Sequence, residues 1–407
     1  MKKRIISAIT SIVMGALSFS SVMSANAADD SDIKENRILF MGDSIVSTAT
    51  EKVSPYFSTV SSYCGGTAVT IHTSGITSDE LLDKIKNNSS YRSSIQGYKR
   101  VVVSVGGNDL IDAFMAVIAE KYPEQYDPEN PYKSLLDIFS AVKEEEDADL
   151  ELMAVISDMN TALMTEVKNC TATMKQIDEE IKKLNPEAEI VYQNLYNPML
   201  MSKEDLDEYL KDRPSNYRTA YNTVRNLFKN NIKKFNNDAL GALEDVKIAD
   251  VYSRFTEAET SDNYGYSNIY TDIMKSSQRD FHPNQLGNHV IASAVIEALD
   301  VKDGNKEAAA NCYVNDYTKM PRSGHKTFCN AIGLKIGDKN GDNEINASDA
   351  SLTLSIYATM SIGGTVTLKS TERIAADTDC NVTIDAFDAS TILAHYASVS
   401  TGGSGVL

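Results

Sequence analysis

Five short apolar runs, most of them adjoining a helical pattern, constrain this chain more than any other feature. Arg37-Ile-Leu-Phe-Met ends at Gly42-Asp43-Ser44, and Ala68 to His72 leads to Thr73-Ser74-Gly75. Arg100 to Val105 runs into Gly106-Gly107-Asn108-Asp109, Glu189-Ile-Val-Tyr-Gln ends near Asn194, and Val246 to Val251 follows a long helical region. Continuous apolar strands alternating with helices imply an α/β fold, a parallel sheet covered by helices on both faces. Reactive groups of such sheets collect at the carboxyl ends of the strands. Ser44, Gly75 and Asn108 all fall there.

The charge balance narrows the partners. The 407 residues carry 39 Lys+Arg against 57 Asp+Glu, a formal charge of −18. Nucleic acid and anionic membrane would both be repelled. A hydrophobic share of 42% supports packed cores rather than wholesale disorder. At the N-terminus, Lys2-Lys3-Arg4 precedes an apolar run from Ile5 to about Phe19, then Ser24-Ala25-Asn26-Ala27. A basic stub, a short apolar run and small residues at the cleavage point read as a secretory signal over residues 1–27. The run is shorter than the ~20 residues of a membrane span. The mature protein is therefore expected to be secreted and extracellular, with no membrane span. Cys312 and Cys329 bracket a short stretch and could form a staple, whereas Cys64, Cys170 and Cys380 read as small buried residues.

Near the C-terminus a twelve-residue segment recurs at an offset of 39 residues. Asp338-Lys-Asn340-Gly-Asp342-Asn-Glu344-Ile-Asn346-Ala-Ser-Asp349 is matched by Asp377-Thr-Asp379-Cys-Asn381-Val-Thr383-Ile-Asp385-Ala-Phe-Asp388. Oxygen side chains stand at loop positions 1, 3, 5, 9 and 12, with a backbone carbonyl available at position 7 (Glu344, Thr383). That spacing wraps one chain around Ca²⁺, which takes six to eight oxygens. A helical pattern follows each loop. The duplicated unit, residues 334–403, resembles a dockerin, the module that attaches enzymes to cohesins of a cellulosome scaffold. The resemblance implies two structural Ca²⁺ ions and a cohesin partner. Two features depart from an EF-hand. The final ligands, Asp349 and Asp388, replace a longer Glu, as is usual for dockerins. Position 6, often glycine, is Asn343 in one loop and Val382 in the other, and Val tolerates a left-handed backbone poorly. The second site is thus expected to be weaker or its turn different. At positions 10 and 11, where dockerins read their cohesin, Ala347-Ser348 and Ala386-Phe387 differ, so the halves need not be interchangeable.

Activation of a serine needs a base, and the chain has five histidines. His395 lies in the repeat as a surface or recognition residue, and His325 in a stretch read as linker. His289 has the spacing of a packed helical residue, and His72 that of a satisfied strand residue. His282 is left, in Arg279-Asp280-Phe281-His282-Pro283-Asn284, where Pro283 keeps it out of helical geometry. A loop His beside a carboxylate can serve as general base for Ser44.

Gly42-Asp43-Ser44, Gly75, Gly106-Gly107-Asn108-Asp109 and His282-Pro283-Asn284 occur in the order of the four sequence blocks of GDSL/SGNH hydrolases. The resemblance covers about residues 35–300 and implies a flavodoxin-like hydrolase domain with no catalytic cofactor. It makes Ser44 the nucleophile and His282 its base. The oxyanion donors would be the backbone N–H groups of Ser44 and Gly75 and the side-chain amide of Asn108, with close backbone approach the reason for glycine at 75. The family's acid stands three residues before the histidine, but position 279 is Arg. Asp280, two residues before His282, is the candidate acid; a backbone carbonyl is the alternative.

The expected organisation is a signal (1–27), a hydrolase domain (28–300), a linker (301–333) and a small all-α dockerin (334–403). The acidic run Glu144 to Asp147 and the helical pattern over 152–184 read as a solvated helix face or a cap over the cleft. The functional expectation is a secreted serine esterase cleaving acyl, chiefly acetyl, esters on plant cell-wall polysaccharide while anchored to a cellulosome. Alternatives are an acyl-lipid hydrolase of the same family and a degenerate glycan-binding domain.

Overall fold

The structure is a computed structural model that describes residues 37–47, 53–127, 148–197, 207, 211, 216–260 and 282–407. The secretory signal, Asp280 and the acidic run Glu144 to Asp147 lie outside these residues. The described residues form two compact units, one drawn from those up to residue 55 and from 67–287, the other from 56–66 and 288–407.

The first unit is built on five parallel strands: β1 (Arg37–Gly42), β2 (Thr67–His72), β3 (Arg100–Ser104), β4 (Glu189–Gln193) and β5 (Lys247–Ala249), in the order β2-β1-β3-β4-β5. The five expected runs are these strands. Ile38, Leu39, Phe40 and Met41 of central β1 are all fully buried, which is why it reads as a continuous apolar run, whereas edge strand β2 is partly exposed throughout. Between strands lie α2 (Ser78–Asn87), α3 (Ser89–Gly97), α4 (Gly107–Lys121), α5 (Ala148–Leu184) and α6 (Asn216–Phe235), and α7 (Val251–Thr260) follows β5. A Thr77–Glu80 capping box starts α2.

Helix α5, 37 residues long, is amphipathic: Val155, Met159, Leu163, Val167, Cys170, Met174, Ile177 and Ile181 are buried at spacings of three and four. This stripe belongs to the same apolar core as Leu39, Met41, Val101 and Val103 of the sheet. The helix therefore completes the sheet's covering layer, and its opposite face is solvated.

The second unit contains α1 (Tyr56–Cys64), most of α8 (Gln285–Leu299), α9 (Lys306–Tyr313), α10 (Arg322–Ala331), α11 (Ala347–Ser361), α12 (Ser370–Ala376) and α13 (Ala386–Ser400). Residues 301–333, expected as a linker, are folded. Tyr313 stacks on Phe328 at 4.0 Å between centroids, and Tyr313, Tyr317, His325, Phe328 and Cys329 are buried. Aromatic burial of this kind outweighs the Gly and Pro content that suggests a linker. The Cys312–Cys329 staple is absent. None of the five cysteines is in a disulfide; Cys312 Sγ lies 3.8 Å from Ser62 Oγ and Cys329 Sγ 3.8 Å from His325 Nε2.

Candidate active site and cation loops

The register of the three neighbouring strands brings the candidate residues to one level. Gly42 pairs with His72 of β2 on one side and Ser104 of β3 on the other. Ser44 lies just beyond Gly42, Gly75 beyond His72 and Asn108 beyond Ser104, at the carboxyl ends of adjacent strands. Gly42, at φ +138°, is required by sterics, since a Cβ there would stand 1.8 Å from the Ser104 carbonyl oxygen. Ser44 opens a short 3₁₀ turn (Ser44–Val46) capped by Asp43, whose Oδ1 accepts from Ile45 N at 3.0 Å and from Ser104 Oγ at 3.1 Å. Burial pushes the Asp43 carboxyl up to about 6, partly offset by those bonds and by the nearby His282. The imidazole of His282, half-buried, thus lies within electrostatic reach of the residue preceding Ser44.

Gly75 has φ +75°, and a Cβ added there would meet nothing within 4 Å. The reason for glycine is this left-handed backbone, not the crowding expected from the sequence. Asn108 Nδ2 donates to the Ile76 carbonyl at 3.0 Å, which ties β3's loop to the Gly75 turn. An amide carries two N–H bonds, so fixing one leaves the other to donate elsewhere.

Sequence reasoning assigns no role to Asp109 or Ser78, yet they brace this region. Asp109 is buried and accepts from Ser78 N at 2.9 and 3.0 Å and from Ser78 Oγ at 2.7 Å. Burial pushes Asp109 up to about 6 despite these donors. Asp109 adjoins Asn108 in the same sequence block, which is the available signal; Ser78 has only its place beyond the Thr77 cap. His72 differs from expectation: its buried Nδ1 has no hydrogen-bond partner among the described residues, and burial lowers its pKa. His289 is buried, as expected, with Nε2 3.1 Å from Asp316 Oδ2. His325 is buried and bonded to Tyr313 Oη at 3.0 Å, so it packs rather than links.

In the second unit the two repeats fold alike. Position 6 donates its N–H to the position-1 carboxylate in both, Asn343 to Asp338 at 2.9 Å and Val382 to Asp377 at 2.8 Å. Position 9 donates to position 12 in both, Asn346 to Asp349 at 3.0 Å and Asp385 to Asp388 at 2.9 Å. Asn346 and Asp385 then cap α11 and α13. Val382 does adopt the left-handed backbone, φ +79° against +70° at Asn343. Oxygens of Asp377, Asp379 and Asp388 gather within 4.8 Å of one another. Burial raises the carboxyls of Asp338, Asp377 and Asp388. An all-oxygen donor set with converging buried carboxylates fits a hard divalent cation. His395 is held by the chain end, its Nδ1 accepting from Val406 N and Leu407 N at 3.2 Å each.

The five-stranded parallel sheet thus carries Ser44, Gly75 and Asn108 beyond the ends of three adjacent strands. The model of the GDSL-like lipase/acylhydrolase family matches residues 38–295, and the chain belongs to that family. The uncharacterized protein YpmR of Bacillus subtilis (strain 168) is 23% identical over 237 residues, 57% of this chain and 66% of that relative. The match thus spans just under two thirds of the relative's length. Among solved structures, a lipase from a goat rumen metagenome is 14% identical, with 64% of this chain and 96% of the other covered at a TM-score of 0.41. Phospholipase A1 from Streptomyces albidoflavus NA297 is 14% identical, covering 64% and 98% at a TM-score of 0.39.

Proposed function

We propose that the protein is a secreted serine ester hydrolase that acts on acyl, chiefly acetyl, esters of plant cell-wall polysaccharide and is anchored to a cellulosome scaffold through its C-terminal repeat. The observation that carries the catalytic part is the placement of Ser44, Gly75 and Asn108 at three adjacent strand ends with His282 in electrostatic reach of Asp43. In this reading Ser44 Oγ attacks the ester carbonyl carbon while His282 takes the serine proton. The carbonyl oxygen, now negative, receives the N–H groups of Ser44 and Gly75 and the Asn108 amide. Each such donor contributes about 3–4 kcal/mol to the transition state. Collapse of the tetrahedral intermediate breaks the bond to the alcohol, which leaves with the proton from His282. Water then hydrolyses the acyl-serine by the same route. Asp280 is the proposed partner that orients His282.

The repeat supports the anchoring part. Asp338, Asn340, Asp342, Asn346 and Asp349, with the Glu344 carbonyl, would hold one Ca²⁺. Asp377, Asp379, Asn381, Asp385 and Asp388, with the Thr383 carbonyl, would hold the other. The ions would supply the positive charge that the gathered carboxylates lack, and the partner would be a cohesin. The polysaccharide substrate is inferred from that anchoring. The family description favours a second reading, an acyl-lipid hydrolase.

Rates of wild type and Ser44→Ala on 4-nitrophenyl acetate, a long-chain 4-nitrophenyl ester and acetylated xylan test both. Ser44→Ala is expected to lose at least about 10³-fold in rate. Equal rates of the two proteins would sink the serine mechanism, and preference for the long chain would favour the lipid reading.

A further inference from the structure

The folded stretch before the repeat reaches into the second loop and not into the first. Tyr317, on the turn between α9 and α10, donates its hydroxyl to Asp377 Oδ2 at 2.5 Å. Arg322, at the start of α10, donates to the Thr378 carbonyl at 2.7 Å. Thr378, at loop position 2, in turn gives its N–H and hydroxyl to Asp388 Oδ1 at 2.7 and 2.9 Å. Both end carboxylates of the second loop, positions 1 and 12, are therefore fixed directly or through one residue by groups about sixty residues earlier in the chain. Glu307 on α9 adds a third tie, accepting from Ser370 N at 2.9 Å and from Thr371 N at 3.0 Å at the start of α12, the helix that runs into Asp377.

The first loop has a different arrangement. Asp338 accepts from the amides of Gly341 at 2.8 Å and Asn343 at 2.9 Å, both within its own loop. Asp349 accepts from Asn340 N at 3.1 Å and Asn346 N at 3.0 Å, again within the loop. Lys339 does reach outside, to Glu372 at 3.1 Å, but through its own side chain and to no loop carboxylate.

We infer that Tyr317 is a positioning residue of the second cation site, so that this site, unlike the first, is completed by the helices of residues 306–331. The inference rests on the reading of the repeat as a calcium module. A hydroxyl on one carboxylate oxygen fixes the rotation of Asp377 and leaves its other oxygen to face the loop interior. Outer-shell donors of this type change metal affinity by about 10–100-fold when removed. The ring of Tyr317 packs among buried aromatic groups, with His325 at 5.6 Å between centroids. Tyr317→Phe therefore removes the donor and keeps the packing. The functional module also begins earlier than the repeat itself, near residue 305.

Calorimetric titration of the full chain with Ca²⁺ tests this in two backgrounds, Asp349→Ala to report the second loop and Asp388→Ala to report the first. Tyr317→Phe is expected to weaken the site left by Asp349→Ala by about tenfold and to leave the site left by Asp388→Ala unchanged. Unchanged affinity in both backgrounds overturns the inference while leaving the calcium reading intact. An equal loss in both overturns it too, because a general loosening of the fold would then account for the effect. Failure of the wild-type chain to take up calcium overturns the calcium reading itself, and this inference with it. Thermal melting of Tyr317→Phe without calcium is the companion measurement, with less than about a 2 °C change expected for a variant that keeps its packing.

Discussion

In the first repeat loop the left-handed positions 4 and 6 are filled by Gly341 and Asn343, in the second by Cys380 and Val382, with φ +61° and +79°. Glycine and asparagine enter that region readily, whereas Cys and above all β-branched Val are disfavoured there by about 1–2 kcal/mol. Local preference alone would let the second loop relax, yet it keeps the template of the first. Its hydrogen bonds show how. Donors to the two end carboxylates shift by one residue: Asn340 N serves Asp349 in the first loop, while Thr378 N serves Asp388 in the second. Gly341 N serves Asp338, while Asn381 N serves Asp377 at 3.0 Å. Tyr317 and Arg322 then hold the altered turn from outside. A loop can carry locally poor residues when its neighbours specify its shape.

Four measurements would break or sharpen this contrast. Removal of calcium with EGTA is expected to cost most, melting α11 and α13 and lowering the far-ultraviolet helical signal of the full chain; an unchanged spectrum contradicts the calcium reading of both loops. Next come buried carboxylates that have no gathered partners. Asp43, pushed up to about 6 by burial, favours the folded state more when protonated. Its destabilising charge is present above pH 6 and disappears as pH falls toward the unfolded value near 4, a swing on the order of 3 kcal/mol. With calcium saturating, the melting temperature of the hydrolase domain should rise from about pH 7 to about pH 5, and Asp43→Asn should reduce the rise, leaving the share of Asp109. A slope untouched by that substitution would remove Asp43 from the account.

Third, Asp388→Ala should lower stability more than Asp349→Ala, since Asp388 also satisfies the buried Thr378 amide and hydroxyl. The difference expected is about 1–3 kcal/mol in denaturant unfolding, and equal losses would erase the asymmetry. The smallest effect concerns the backbone. Val382→Gly should stabilise the second loop by about 1 kcal/mol, read as an approximately fivefold gain in its calcium affinity. A loss there would mean that the valine side chain makes a contribution larger than its backbone cost.

Much of the hydrolase domain is legible in the sequence because its cues are local. The central strands β1 and β3 are continuous apolar runs, so the strand ends before Ser44 and Asn108 can be located, and a shorter run precedes Gly75. The braces behind them cannot, because Asp109 with Ser78 and Asp43 with Ser104 join side chains from different βα units, and nothing in the spacing pairs them. Residues 301–333 mislead for a related reason. Pro321, Gly324 and Gly333 suggest a linker, but Tyr313, Tyr317, Met320, Phe328 and Ile332 recur at spacings that fit buried helical turns. Composition hides that pattern. Asp280 falls outside the described residues, so its pairing with His282 stays a sequence-based proposal.

Helix α1 has a consequence for how the polypeptide is made. It follows the first strand closely in sequence, yet it is part of the C-terminal unit: Asn305 N donates to the Tyr63 carbonyl at 2.6 Å, and Cys312 meets Ser62, 250 residues away. During synthesis, buried Tyr56, Val60 and Tyr63 emerge early and wait for partners that the ribosome delivers last. Docking of this helix therefore waits until the C-terminal helices have been made. Cutting the gene at residue 300 would strand these side chains in water, because the unit they help to build is otherwise made of residues 288–407.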